Sequence, residues 1–348
     1  MAIKFFDGMG CYKSVAELAA AKNGIISGGA SVQTTGGRFG GGCIFAGPIG
    51  SNPLTLVIAS ALNAPIYIGA AMNFERDNST FREFMRFISS GSNTMCQLGG
   101  NTASGQLFVN NKSGTTLAYS SGAPLTPNVW HWLEVRFVPG STTSNGSLAV
   151  HVDGEEVLNV TGADFNRGTE TLARMFLGGY SNVSNSARVD DLVIWDETGT
   201  DNTWLGDLRI DELVPTSNGS DQDWTQNTGI AWDAVDDVPA SPDDDTTHIA
   251  ASTVGAKSSF GVASLAGTSA KIMGVKVRAR AKKTDAGTRT MKTLMKSGAV
   301  EVQDAVGVDP TTAYTSVHGD MKLLNPDTSA AWDVAAVNAL KIGVALAT

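Results

Sequence analysis

Residues 128 to 137 read Asn-Val-Trp-His-Trp-Leu-Glu-Val-Arg-Phe, and five of them carry side chains suited to ligand binding or acid–base work. Trp130 and Trp132 offer flat apolar faces on which a sugar ring stacks. Glu134 and Arg136 supply a carboxylate and a fixed cation, and His131 is a side chain that exchanges its proton near neutral pH. The backbone period decides which of them meet. In a strand, alternate side chains face opposite sides, so His131, Leu133, Val135 and Phe137 share one face and Trp130, Trp132, Glu134 and Arg136 share the other. The first row reads as a sandwich core, with His131 a satisfied core or rim histidine. The second row is amphipathic and is the candidate ligand-binding set, with Glu134 and Arg136 read as an ion pair rather than an acid–base pair.

Other chemistry-bearing residues point less far. Glu155-Glu156 and Asp190-Asp191 are adjacent pairs, so in a strand their carboxylates face opposite sides, and one of Asp190 and Asp191 is expected to anchor its strand. Asp153, Asp190 and Asp191 are conceivable rim calcium ligands, but no EF-hand spacing accompanies them, so no metal and no cofactor are expected. Arg76, Arg82 and Arg86 interleave with Phe81, Phe84 and Phe87, which a strand with alternating exposed arginines explains without nucleic acid. Cys11, Cys43 and Cys96 lack CxxC spacing and read as reduced, buried thiols.

These residues need short strands to position them, and the composition supplies such strands. The chain has 348 residues, 42% of them hydrophobic and only 17% charged. Gly, Ser, Thr and Asn make up the difference, as turn-rich β-structure requires. No apolar run is long enough for a membrane helix, and no secretory signal is read at the start. After a helical stretch at 14–22, which Ser14 would cap with Glu17 at the capping-box position, β-type runs follow one another, separated by Gly, Asn, Ser and Pro. Asp153-Gly154 is a hairpin turn signal between "SLAVHV" and "EEVLNV".

The order of four pieces, Trp130 to Phe137, Gly146 to Val157, Met175 to Gly178 and Val189 to Trp195, resembles the laminin-G-like, or concanavalin A-like, jelly-roll family over roughly residues 1–200. That resemblance implies two curved antiparallel sheets packed face to face. Hydrolytic members of the family carry alternating acids on one strand, in an E-x-D-x-(x)-E pattern that would project into one cleft. No such stretch occurs here, so a chain without enzymatic activity is expected.

Beyond residue 200 the charge becomes uneven. Residues 201–245 hold one Arg against 12 acidic residues, whereas 271–296 hold nine basic residues and one acidic. "WLGDLRIDELVPT" (204–216) reads as a strand with Leu208, Ile210 and Leu213 on one face. "KIMGVKVRARAK" alternates Val275, Val277, Ala279 and Ala281 with Lys276, Arg278, Arg280 and Lys282. The basic row, meeting the acidic segment of a neighbouring copy, is the predicted assembly interface. Asp333 is placed to cap a short helix ending near Leu340, before a final strand. The closing residues Trp332, Val337, Asn338, Ala339, Leu340, Gly343 and Val344 resemble a pattern found in virion structural proteins of tailed bacteriophages.

The expectation is therefore an all-β chain of two β-sandwich, jelly-roll-like domains, 1–200 and 201–348, with one or two short helices. The resemblance implies a non-enzymatic bacteriophage virion protein of the tail, baseplate or a fibre-associated appendage, located in the virion. Its partners would be other virion proteins, further copies of itself as a trimer or larger ring, and a host-surface glycan, with no membrane insertion and no nucleic acid. A capsid decoration or head fibre protein and a glycan-active hydrolase are the alternatives, the latter disfavoured by the missing carboxylate pattern.

Overall fold

Alternation of apolar and polar residues over short runs gives strands with one buried face, and such faces must pair in layers. A computed structural model describes residues 2–20, 25–27, 30–49, 53–58, 64–74, 82–101, 104–178, 187–199, 202–265 and 271–348. The described residues are nearly all β, built into two β-sandwich units with two short helices, Val15–Ala20 and Val334–Ala339. The first unit runs to Ile210 and the second from Asp211 to Thr348. No helix among the described residues is long and apolar enough to cross a membrane.

The first unit has two antiparallel sheets. One is eight-stranded. Its path runs Glu155–Ala163, Gly146–Val152, Trp130–Val138, Ile66–Phe74, Ala187–Asp196, Cys43–Ala46, Ser31–Gln33, and Ala2–Asp7 pairs with Ala187–Asp196. The other is seven-stranded, from Thr116–Tyr119 through Leu107–Asn110, Thr94–Gly100, Arg82–Ser89, Leu172–Leu177 and Leu54–Val57 to Ile25–Ser27. Leu133, Val135 and Phe137 point inward and are buried, and the Phe137 ring stacks on Phe87 of the opposite sheet at 4.2 Å. Phe74 and Phe84 meet across the same layer at 4.9 Å. Asp153 (φ 52°) and Gly154 (φ 90°) both take positive φ, the requirement of a two-residue type I′ hairpin turn. Ser14 accepts from the Glu17 N–H at 3.2 Å, and Glu17 Oε2 accepts from the Lys13 N–H at 2.9 Å, one residue earlier than a standard capping box. Of the Arg–Phe series, Arg76 and Phe81 lie outside the described residues. Phe84 and Phe87 are core, and Arg86 is bound by Glu83.

The first unit ends at Ile210, and "WLGDLRIDELV" forms no strand. Residues 203–210 belong to the first unit because its side chains hold their backbone, as described below. The next strand begins at Pro215.

In the second unit the strands Pro215–Gln222, Lys257–Val262, Lys341–Leu346, Met291–Ser297 and Val300–Gln303 form one sheet. Arg278–Ala281 pairs with Thr315–His318 as a separate ribbon. Asp333 caps the helix Val334–Ala339 by accepting from the Ala336 N–H at 2.7 Å. Val277, Met295, Trp332, Val337 and Leu340 form a common core joining sheet, ribbon and helix.

Within one chain the acidic and basic segments already meet. Arg280 binds Asp244 at 2.7 Å and Lys282 binds Asp245 at 2.6 Å. Lys296 reaches Asp221 and Glu301, and Arg278 donates to the Ser316 hydroxyl. A strand followed by a ribbon brings the acidic and basic segments together locally. Such half-exposed pairs contribute roughly 0–1 kcal/mol each.

Candidate functional site

Strand register places the aromatic and charged residues of the first unit on the outer face of the eight-stranded sheet. Trp130 lies opposite Asn73, Trp132 opposite Ala71, Glu134 opposite Gly69 and Arg136 opposite Tyr67. Gly69 is required here, because a Cβ would run into the rings of Trp132 and Trp195. Tyr67 stacks on Trp195 at 5.2 Å and meets Trp204 edge-on at 5.3 Å. His151, one strand further out, stacks on Trp204 at 3.7 Å. The Arg136 guanidinium sits 5.8 Å from the Tyr67 ring.

Residues 203–210 run over this face as a strap and explain why Ile66–Phe74 is buried along its whole length. Trp195 Nε1 donates to the Thr203 carbonyl at 3.1 Å. Glu134, fully buried, accepts from the Leu205 N–H at 2.8 Å and from the Gly206 N–H at 3.2 Å. Asp191 accepts from the Ile210 N–H at 2.8 Å. Arg38 donates to the Leu208 carbonyl at 3.0 Å and binds Asp207 at 2.6 Å. Arg38 and Arg209 lie 4.8 and 4.3 Å from the exposed Phe39 ring, tying the strap to the glycine-rich loop around residue 39.

Asp190 and Asp191 do not face opposite sides, contrary to the expectation from strand alternation. The register shifts between Asp190 and Val193, and Asp191 adopts φ 48°, so a bulge turns both carboxylates toward Arg38. Asp190 accepts the Arg38 backbone N–H at 2.8 Å, and Asp191 binds its guanidinium at 3.5 Å.

Among the other predicted residues, His131 is buried and satisfied. It accepts the Thr126 N–H at Nε2 (2.8 Å), so its Nδ1 carries the proton donated to Asp153 at 2.7 Å. Trp132 is 1% exposed and is no stacking platform, whereas Trp130 is half-buried. Glu134 and Arg136 do not pair. Arg136 binds Glu197 at 2.6 Å, and Glu134 holds the strap instead. Asp153 serves His131 and the Trp132 N–H, so it and the Asp190–Asp191 pair are committed to structural contacts. Among the described residues no group of three or more metal-ligating side chains is arranged to hold an ion. All three cysteines are buried, and none forms a disulfide. The sequence reading missed Tyr67, His151, Trp195 and Trp204, whose meeting depends on strand pairing rather than on any local motif.

Burial pushes the Glu134 carboxyl up to about 6, against the pull of the Leu205 and Gly206 N–H groups. A carboxyl raised on folding adds stability below its unfolded value and loses it as pH rises through the folded one. Burial lowers His151, which acts in the opposite sense, so the Glu134 contribution is read against a variant. Between about pH 8 and about pH 4.5, wild type should gain roughly 1–2 kcal/mol relative to Glu134→Gln, measured by denaturant titration. A gap that stays constant with pH would show that Glu134 keeps its ordinary acidity.

No family model and no curated protein matches the sequence. Several solved structures are similar to part of this chain. The cellulose-induced protein Cip1 is 15% identical, with a TM-score of 0.37, over 48% of this chain and 84% of its own. An endo-β-1,4-glucuronan lyase from the fungus Trichoderma reesei is 11% identical, with a TM-score of 0.37, over 47% and 85%. The alginate lyase Aly36B is 15% identical, with a TM-score of 0.38, over 55% and 95%. The expectation of a chain without enzymatic activity is withdrawn, because two of these similar structures are lyases.

Proposed function

We propose that the protein is a glycan-recognising structural component of a tailed-bacteriophage particle. The first unit would bind a host-surface glycan on the outer face of its eight-stranded sheet, and the second would join the protein to the particle or to further copies. The virion assignment rests on the closing pattern from Trp332 to Val344. The glycan reading rests on one observation. Beside the half-buried Trp130, a buried acceptor on the same face, Asn73 Oδ1, has no hydrogen-bond partner among the described residues, whereas the Trp132 indole N–H is held by Glu134.

A buried polar atom left unpaired costs about 1–3 kcal/mol, so the Asn73 acceptor beside a partly exposed indole favours a ligand group that donates to it. A sugar hydroxyl donates and accepts at once, and the adjacent indole supplies the apolar surface that a pyranose ring stacks on. The test is binding of the full chain to immobilised host-surface polysaccharides. Trp130→Ala and Asn73→Ala should each weaken binding by about tenfold, the effect of one hydrogen bond or ring contact. Variants that bind as wild type does, or a wild type that binds no glycan, would overturn the reading.

A further inference from the structure

The strap 203–210 is attached in an unusual way. The N–H groups of Leu205, Gly206 and Ile210 end on the carboxylates of Glu134 and Asp191, and none of these three pairs with a neighbouring strand. The strap's carbonyl contacts go to the Trp195 indole and the Arg38 guanidinium. A segment held by side chains alone detaches without breaking a β-ladder, and segments of this kind open at low free energy.

What the strap presents to the sheet is a flat ring and two neighbouring donors. The Trp204 ring lies on His151 and against the edge of Tyr67, while the two adjacent N–H groups that follow it converge on Glu134. A stacked ring with two adjacent donors facing one carboxylate is also what a pyranose with vicinal hydroxyls offers.

We infer that the strap is an internal occupant of a glycan groove: Trp204, Leu205 and Gly206 fill a subsite formed by Tyr67, Glu134 and His151 that takes a neutral pyranose once the strap is displaced. This rests on the glycan reading above and extends it along the same face, from Asn73 and Trp130 to Glu134 and Tyr67. Glu134 selects the class, since a carboxylate accepts hydroxyl donors and repels a uronate. The strap and the glycan then compete, and apparent affinity is the intrinsic affinity reduced by the fraction of molecules with an open strap.

Two variants of the full chain test it. Trp204→Ala removes the stacked ring. Asp207→Ala removes a carboxylate whose side chain is 59% exposed, loosening the Arg38 clamp without opening the core. Amide hydrogen exchange over 203–210 reports strap release with no glycan present, and titration with neutral glucose-, galactose- and mannose-based oligosaccharides reports affinity.

Both variants should exchange faster over 203–210. At least one neutral oligosaccharide should bind them about tenfold more tightly than wild type, with no such gain for oligouronates. Saturating wild type with that oligosaccharide should also speed exchange over 203–210. A strap that exchanges faster in both variants with no gain in affinity overturns the competition and leaves glycan binding at Trp130 standing. Absence of any glycan binding by wild type and by both variants overturns the glycan reading itself, and the inference with it.

Discussion

Phe137→Ala should destabilise the first unit by about 3–5 kcal/mol, the range for truncating a large buried aromatic side chain in a core. Phe137 is fully buried and stacks on Phe87 of the facing sheet, with Phe165 at 5.5 Å on another side. Its removal takes away the contact that spans both layers, and neighbours held in ladders on each side have little freedom to collapse into the space. For a unit of this size the thermal midpoint should fall by roughly 10 °C. Calorimetry should show that drop in one transition while a second transition, from residues 211–348, stays in place. A single transition that shifts as a whole would show that the two units unfold together.

Gly343→Ala should do the converse. Gly343 sits in the middle strand of the five-stranded sheet, opposite Ser259 on one side and Leu294 on the other. A Cβ at this position would press on the Ser258 carbonyl and the Ser259 backbone. Backbone in a central ladder gives way only by breaking hydrogen bonds, so the cost should be about 3 kcal/mol or more. The second unit should lose its transition or show it at a markedly lower temperature, with the first unaffected. A variant with both transitions unchanged would mean that the strands separate far more easily than their pairing implies. The result would also give a physical reason for the glycine in the closing pattern that ends in Gly343 and Val344.

The sandwich was legible in the sequence because a period of two survives where one face is buried. Leu133, Val135 and Phe137 lie inside as the alternation requires, and Asp153-Gly154 turns as the dipeptide predicts. The same rule failed at Asp190 and Asp191, because it assumes an unbroken ladder and a bulge there resets the phase. It failed again for the strap. Hydrophobic residues at 208, 210 and 213 look like a strand face, yet the backbone partners are carboxylates far away in sequence, with Glu134 71 residues from Leu205. No local pattern encodes that pairing. The ion pair drawn between Glu134 and Arg136 was lost for the same reason. Each residue had a better partner supplied by the tertiary fold, Glu197 for Arg136 and the strap for Glu134.

The Asp153 turn has a consequence for the order in which the sheet assembles. Its N–H donates to the Trp132 carbonyl at 2.8 Å, its Oδ1 accepts the Trp132 N–H at 2.8 Å and its Oδ2 binds His131. Three bonds from one turn residue therefore fix the alignment of the hairpin against the start of Trp130–Val138, across only 21 or 22 residues. Hairpins form in about 1–10 μs, well before distant segments meet. Trp130–Val138 and Gly146–Val152 are thus aligned while Ile66–Phe74 is still searching. A slip of one residue would break all three bonds and turn Leu133, Val135 and Phe137 outward, so the misaligned hairpin loses both polar and apolar contacts at once. The late-arriving strand then docks on an edge with a single phase, and this long-range pairing inherits its accuracy from a local turn.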